Sequence, residues 1–380
     1  MIKVGLIQRI CPHYRVAVFR RLAEDIDLTL YYGKGQKVGA NQNAKAIADF
    51  KNKYLFTIGF SLKWGIKNYY LSWFPFLLLH LFRDRPRVII TEGTTNIINN
   101  FFVIPYCRLT KTPVVWWDSG RNIRVPKSRL RKLFEPLVAY LIKQVDACIT
   151  YGEIAQQYLI SIGFPKERIF IAQNTIDISY VARDIQKYSA EVLKREREKL
   201  RLEDKKVILY VGAIERRKKI ENLLISFKEI KTKYSQAALL IIGDGDYKDN
   251  IERFIKTRQI KDVYLLGRIV NKLGLYFLLC DILVLPGWNT LAINQAMAYG
   301  KPVITVPYGG PEYELVEEGK TGFIVERDNI SQLFSAILKI LNDDSLRKTM
   351  AINAQKRINN LANIDNMVKG IVKAVKEVTK

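Results

Sequence analysis

The sequence predicts an α/β protein of two domains, each built on a mostly parallel sheet. Apolar runs of strand length alternate with helical patterns through the chain, which is the signature of parallel sheets. Its 380 residues are long for one domain and comfortable for two. The third observation is residues 281–322, DILVLPGWNTLAINQAMAYGKPVITVPYGGPEYELVEEGKTG. This stretch reads as a buried strand at 282–285, a Pro-Gly turn and a helix beginning near Thr290. A second strand (302–306) and a glycine-rich turn follow. A strand that stops at Pro286-Gly287 and opens into a helix offers backbone N–H groups to an anion. In an open α/β sheet that junction lies where ligands collect. The plainer reading is one more strand–helix crossover.

Composition sets the bounds. With 48% hydrophobic and 11% aromatic residues the chain is globular rather than disordered. Cys11, Cys107, Cys148 and Cys280 stand singly, which argues against a disulfide framework or zinc site and for a reducing, cytoplasmic compartment. The opening MIKVGLIQRI reads as a first strand, not a signal peptide. No run reaches the ~18 apolar residues of a membrane span. The nearest, residues 69–82, is broken by Pro75. The net charge of +24 favours a polyanionic partner: an anionic membrane surface, a phosphorylated lipid or nucleic acid. A basic proteome with no such partner gives the same number.

Taken in order, the first half offers strands at 3–7, 28–32, 88–91, 114–117, 147–150 and 169–172. Arg15 lies between the first strand and a helix carrying Val16, Phe19 and Leu22 on one face. There it meets phosphate or sugar, or is a solvated arginine. His80 belongs to an apolar helix and reads as core or surface. Glu92 and Asp118-Ser119 each end a strand, so a substrate hydroxyl could be held or deprotonated between them. Trp64, Tyr69, Tyr70, Trp73, Phe74 and Phe76 cluster beside Lys63 and Lys67. That mixture suits a membrane interface, or a helix packed on its own sheet, which is the commoner case. Residues 121–132, RNIRVPKSRLRK, hold six bases and no acid, a solvated helix face or a patch for anionic lipid. No nucleic-acid module is recognisable, and no nucleic-acid partner is expected.

In the second half a charged helix over 180–200 leads into a strand at 207–211, which ends VGAIERRKKIENLL. Basic residues beside a helix N-terminus hold a diphosphate, or are merely solvated. LLIIGDGD and VYLLGR are further strands ending in glycine turns. Amphipathic, lysine-rich helices follow Ile330.

AMAYGKPVI, followed in order by GG, PE and EGKTG, resembles the donor-binding half of family 4 glycosyltransferases of the GT-B fold. The resemblance implies two Rossmann-like domains facing across a cleft: 1–178 for the acceptor and 179–360 for the donor, with 361–380 a helix crossing back. Asn174 and Asp177 match the family's inter-domain piece. The implied reaction transfers a sugar, with retention and no essential metal, from a nucleotide-diphosphate sugar (UDP- or GDP-) to a glycan or lipid-linked acceptor in cell-surface glycan or polysaccharide synthesis. No further cofactor is required, and Asp244-Gly245-Asp246 is a strand-end turn rather than a metal site. Gly212 and Lys218 match the diphosphate-binding motif, with Lys218 and Arg217 stabilising the departing charge. Ala213 stands where arginine is usual and Lys219 where glycine is usual, so Arg216 or Arg217 would restore the charge. Arg268 and Ile269, after Gly267, border the base. Asn289, Thr290 and Leu291 offer phosphate contacts.

The pattern also departs from the family. Its two glutamates fall on Gly287 and Gln295, of which Gln295 can still hydrogen-bond a ribose. The usual histidine is replaced at Ser119-Gly120, leaving Asp118 as a substitute or an ordinary loop carboxylate. Arg15 and Glu92 sit on the acceptor side. The location implied is cytoplasmic, peripheral at the inner face of the membrane. The alternatives are a sugar-nucleotide epimerase, or a catalytically degenerate protein that docks on a membrane or partner.

Overall fold

The computed structural model describes residues 1–35, 43–44, 47, 49–64, 67–118, 129–288, 291–308 and 311–380. It divides into two compact units, Met1–Asn174 with Ile364–Lys380, and Thr175–Asn363.

In the first unit the strands are β1 (Lys3–Gln8), β2 (Asp27–Tyr32), β3 (Lys51–Tyr54), β4 (Ile58–Trp64), β5 (Lys67–Trp73), β6 (Val88–Glu92), β7 (Val114–Asp118), β8 (Ala147–Thr150) and β9 (Ile169–Ile171). The helices are α1 (His13–Asp25), α2 (Leu77–Asp84), α3 (Ile97–Thr110), α4 (Arg129–Ile142) and α5 (Glu153–Ser161). The main sheet runs β3-β2-β1-β6-β7-β8-β9, parallel throughout. Its central strands are apolar on both faces because helices cover both. One face packs Val4, Leu6 and Ile90 against α1; the other packs Ile7, Ile89 and Trp116 against α2, α3 and α4.

The second unit repeats the plan. Helices α6 (Tyr180–Lys187) and α7 (Ala190–Lys199) precede β10 (Lys206–Val211), α8 (Ile220–Lys233), β11 (Ala237–Ile242), α9 (Lys248–Thr257), β12 (Val263–Leu265) and α10 (Leu273–Leu279). Then come β13 (Ile282–Leu285), α11 (Ala292–Ala298), β14 (Val303–Thr305), α12 (Pro311–Leu315), β15 (Gly322–Ile324), α13 (Ile330–Asn342) and α14 (Asp344–Leu361). The order is β12-β11-β10-β13-β14-β15, again parallel. Both sheets therefore reverse direction once, at β1/β6 and at β10/β13. Such switch points open a crevice at the carboxyl ends of the strands.

The final helix, α15 (Ile364–Glu377), belongs to the first unit. Met367, Val368, Ile371, Ala374 and Val375 are fully buried there with α1, β8 and β9. Gly370 permits the approach, since a Cβ there would meet the Ile171 carbonyl oxygen at 2.2 Å.

Three elements differ from the sequence expectation. Trp64, Tyr69, Tyr70 and Trp73 of the aromatic cluster lie not on a helix but on an antiparallel hairpin, β4–β5, with Phe74 and Phe76 just after it. The 180–200 helix is two helices, separated at Tyr188-Ser189. The helix expected from Thr290 begins at Ala292.

Candidate active site

In the second unit the turns after β10, β11 and β12 are sewn together by their backbones. The Gly212 N–H donates to Ile242 O at 3.0 Å, Ile214 N–H to Asp244 O at 2.9 Å, and Gly243 N–H to Gly267 O at 2.9 Å. Asp244 accepts the Gly245 N–H at 2.9 Å, as a turn residue does. Among the described residues no group of three His, Cys, Asp or Glu is placed to hold a metal.

The β10/β13 crevice brings two loops into contact: the turn 216–218 after β10 and the loop 286–288 after β13. Trp288 N–H donates to Arg217 O at 3.2 Å, and Lys218 Nζ donates back to Trp288 O at 2.8 Å. Gly287 lies between them. A Cβ there would stand 2.4 Å from both the backbone C and O of Lys218 and 2.7 Å from Arg217 O. Any side chain at 287 therefore has no room in this packing.

Lys218 is only 4% exposed, and among the described residues no carboxylate hydrogen bond neutralises it. Burial, then the neighbouring Arg217 charge, lowers its pKa to about 8. It remains a cation at neutral pH, with donors beyond the one given to Trp288. Arg217 is exposed, ion-paired with Glu215 and over the Trp288 ring at 5.5 Å. Arg216 is exposed. Lys219 adopts left-handed backbone, φ 54°, immediately before α8. That conformation favours glycine, and Lys219 meets Asp328 at 3.2 Å.

The other donor-side residues divide. Gly267 takes φ +67°, Arg268 is exposed, and Ile269 packs against the unit's core. Gln295 spends its amide on Tyr180 Oη at 2.8 Å, tying α11 to α6. Leu291 stands just before α11, while Asn289 and Thr290 lie outside the described residues. Trp288, Tyr308 and Arg327 carried no sequence signal beyond their types, yet they assemble here. The Trp288 and Tyr308 rings are 6.1 Å apart, with the Arg327 guanidinium 4.1 Å over Tyr308. Glu312, fully buried, accepts the Tyr308 N–H at 2.6 Å and so fixes that loop.

In the first unit Arg15 is not the solvent-facing contact its position implied. It is 3% exposed, with Nη2 donating to Asn174 Oδ1 at 2.8 Å and Nη1 lying 3.2 Å from Met367 Sδ. Its guanidinium is ringed by Tyr151, Trp117 and Tyr14 at 5.0, 5.2 and 5.5 Å. Burial pushes the Tyr151 phenol up, and Arg15 partly offsets that. Glu92, at the β1/β6 switch, accepts the Arg9 N–H at 2.6 Å. Asp118 Oδ2 accepts the Thr94 N–H at 2.7 Å. Ser119 and the basic residues 121–128 lie outside the described residues.

Two doubly wound units in one chain define the GT-B fold. The structure is similar over 99% of this chain and 100% of that one to Anabaena HepE in complex with UDP, with a TM-score of 0.76 and 16% identity. It is likewise similar to WaaG, a glycosyltransferase involved in lipopolysaccharide biosynthesis, with a TM-score of 0.67 and 14% identity over 99% of both chains. Residues 193–357, which hold the Lys218 loop and the 281–322 stretch, match the family described as glycosyl transferases group 1. Over 165 residues the chain is 34% identical to the capsular polysaccharide biosynthesis glycosyltransferase CapM of Staphylococcus aureus, covering 42% of this chain and 43% of that protein. The chain spans about half the length of the curated relatives it matches.

Proposed function

We propose that the protein is a family 4-type glycosyltransferase that takes a sugar from a nucleotide-diphosphate sugar, UDP- or GDP-linked, and passes it to a glycan or lipid-linked acceptor. The observation that carries this reading is the buried Lys218 ammonium at the β10/β13 switch point, within the segment matched by the group 1 family. A cation held dry beside a helix start stabilises the diphosphate more strongly than an exposed one, because water screens it less. As the glycosidic C–O bond breaks, charge grows on the departing phosphate, and Lys218 is pre-placed to meet it. Arg217 or Arg216 would have to turn from its present position to add to this.

Retention of configuration, with a departing phosphate oxygen taking the acceptor proton, is part of the reading. Transfer without a bound metal belongs to the same proposal, with Lys218 neutralising part of the charge. The setting proposed is cell-surface glycan or polysaccharide synthesis, in keeping with the CapM relative. An epimerase would need acid and base carboxylates facing the substrate. Glu312 is fully buried, and Glu92 and Asp118 accept backbone N–H groups. Nucleotide release from a panel of UDP-, GDP- and ADP-sugars in EDTA tests the proposal. Slow hydrolysis of one donor, lost in Lys218→Ala, is expected. No turnover or binding of any donor would support the degenerate binding protein instead.

A further inference from the structure

Lys218, Trp288, Tyr308 and Arg327 come from successive strands of the second unit's sheet. They follow β10, β13, β14 and β15, which are neighbours in that order, so all four lie at the carboxyl edge. Neighbouring strands lie about 4.8 Å apart, close to the width of a pyranose ring. Contacts join the four into a row. Lys218 Nζ donates to the Trp288 carbonyl at 2.8 Å, the Trp288 and Tyr308 rings are 6.1 Å apart, and the Arg327 guanidinium stands 4.1 Å over Tyr308. The β11 and β12 turns lie on the other side of Lys218. With a base at the β12 turn, as the sequence implies, and a diphosphate at Lys218, the sugar falls on Trp288 and Tyr308.

The two rings offer a pyranose an apolar surface to lie on, for Trp288 is 47% exposed and Tyr308 half-buried. Beyond them stands a charge. Arg327 donates through Nε to the Pro307 carbonyl at 2.5 Å, which with the Tyr308 ring fixes the plane of its guanidinium. Among the described residues it forms no ion pair, and its Nη1 and Nη2 groups have no protein acceptor. The acids beside it in sequence are engaged elsewhere. Asp328 meets Lys219 at 3.2 Å and Asn222 at 2.9 Å, and Glu326 accepts from Asn329 at 3.0 Å. Gly287 brings no carboxylate to the loop before Trp288. A planar fork of donors, fixed on a ring and unneutralised, is suited to hold a carboxylate in bidentate form. We infer that the donor sugar is a hexuronate, its ring lying on Trp288 and Tyr308 and its C6 carboxylate taken by Arg327. This rests on the transferase reading and names its class of sugar.

Matched donor pairs test this on the full chain by calorimetry. They are UDP-glucuronate against UDP-glucose, UDP-galacturonate against UDP-galactose, and GDP-mannuronate against GDP-mannose. The uronate of one pair should bind about tenfold or more tighter than its neutral partner. Arg327→Gln should lose that preference, and Arg327→Lys, which keeps the charge without the fork, should retain part of it. Equal or tighter binding of the neutral sugars by wild type would overturn the inference and leave the transferase reading standing. A preference that survives unchanged in Arg327→Gln would also overturn it, assigning Arg327 to the 307–308 loop alone. Binding of no donor, acidic or neutral, would overturn the inference and the transferase reading together. Where Arg327→Gln fails to fold, the wild-type comparison and Arg327→Lys still decide.

Discussion

Lys218 sits at the balance between burial, which lowers its pKa to about 8, and the need for a charge. Its folded pKa lies below the unfolded value of 10.5, so keeping it charged costs stability at pH below about 8, and that cost fades as pH rises towards 10.5. A bound diphosphate has the opposite preference, because it is held by the ammonium. Nucleoside diphosphate affinity should therefore be full below pH about 8 and fall above it, with calorimetry showing this slope in wild type and not in Lys218→Met. The substitution itself should cost about 1.5–3 kcal/mol of diphosphate binding. Lys219 offers a separate test, since its left-handed backbone is strained for any residue with a Cβ. Lys219→Gly should raise stability by about 0.5–1 kcal/mol, less what the exposed pair with Asp328 contributes, read as a higher Tm. The role expected of Lys218 was legible only through the family resemblance, which matches Gly212 and Lys218. The reason for glycine at 287 was not, because it is a contact with the Lys218 backbone that only folding creates.

At the scale of elements, legibility followed burial. Strands β1, β6, β7 and β10 are apolar on both faces and bounded by turns, so the chain announces them without reference to any partner. The β4–β5 hairpin was hidden because its aromatic run adjoins the leucine-rich α2, and period alone does not separate the two. Arg15 shows the same limit at a candidate site. Position placed it at a helix start, but the cage of Tyr14, Trp117 and Tyr151 comes from three different elements, and Met367 comes from α15. Helix α15 is accordingly part of the first unit's core despite its place in sequence. Ending the chain after Asn363 would expose the α1, β8 and β9 surface that five fully buried α15 side chains now cover. Met367, Val368, Ile371 and Val375 each contribute roughly 1.5–3 kcal/mol on burial, together comparable with the whole ~5–15 kcal/mol margin of a typical domain. The shortened chain should be insoluble, or should lose the far-ultraviolet signal of a folded first unit. A soluble truncation with wild-type Tm would show that α15 is only an appendage.

Across the whole molecule, the two units have separate hydrophobic cores, one drawn from residues 181–362 and the others from the first unit with α15. A ligand stabilises what it binds by mass action, about 2.7 kcal/mol when present at a hundred times its Kd. If the diphosphate is held by Lys218, that stabilisation enters through the second unit. Hydrogen exchange on the full chain, with and without UDP or GDP, should then slow most strongly in peptides covering 207–218, 243–247 and 282–288. These are the loops whose backbones already hold one another through Gly212, Gly243 and Trp288. Amides of β1, β6 and β7 should exchange at unchanged rates in the same experiment. Protection confined instead to the carboxyl ends of β1 and β6 would move the nucleotide to the Glu92 switch point. It would leave Lys218 as a buried cation hydrogen-bonded to the Trp288 carbonyl, and the donor would have to be sought on the other sheet.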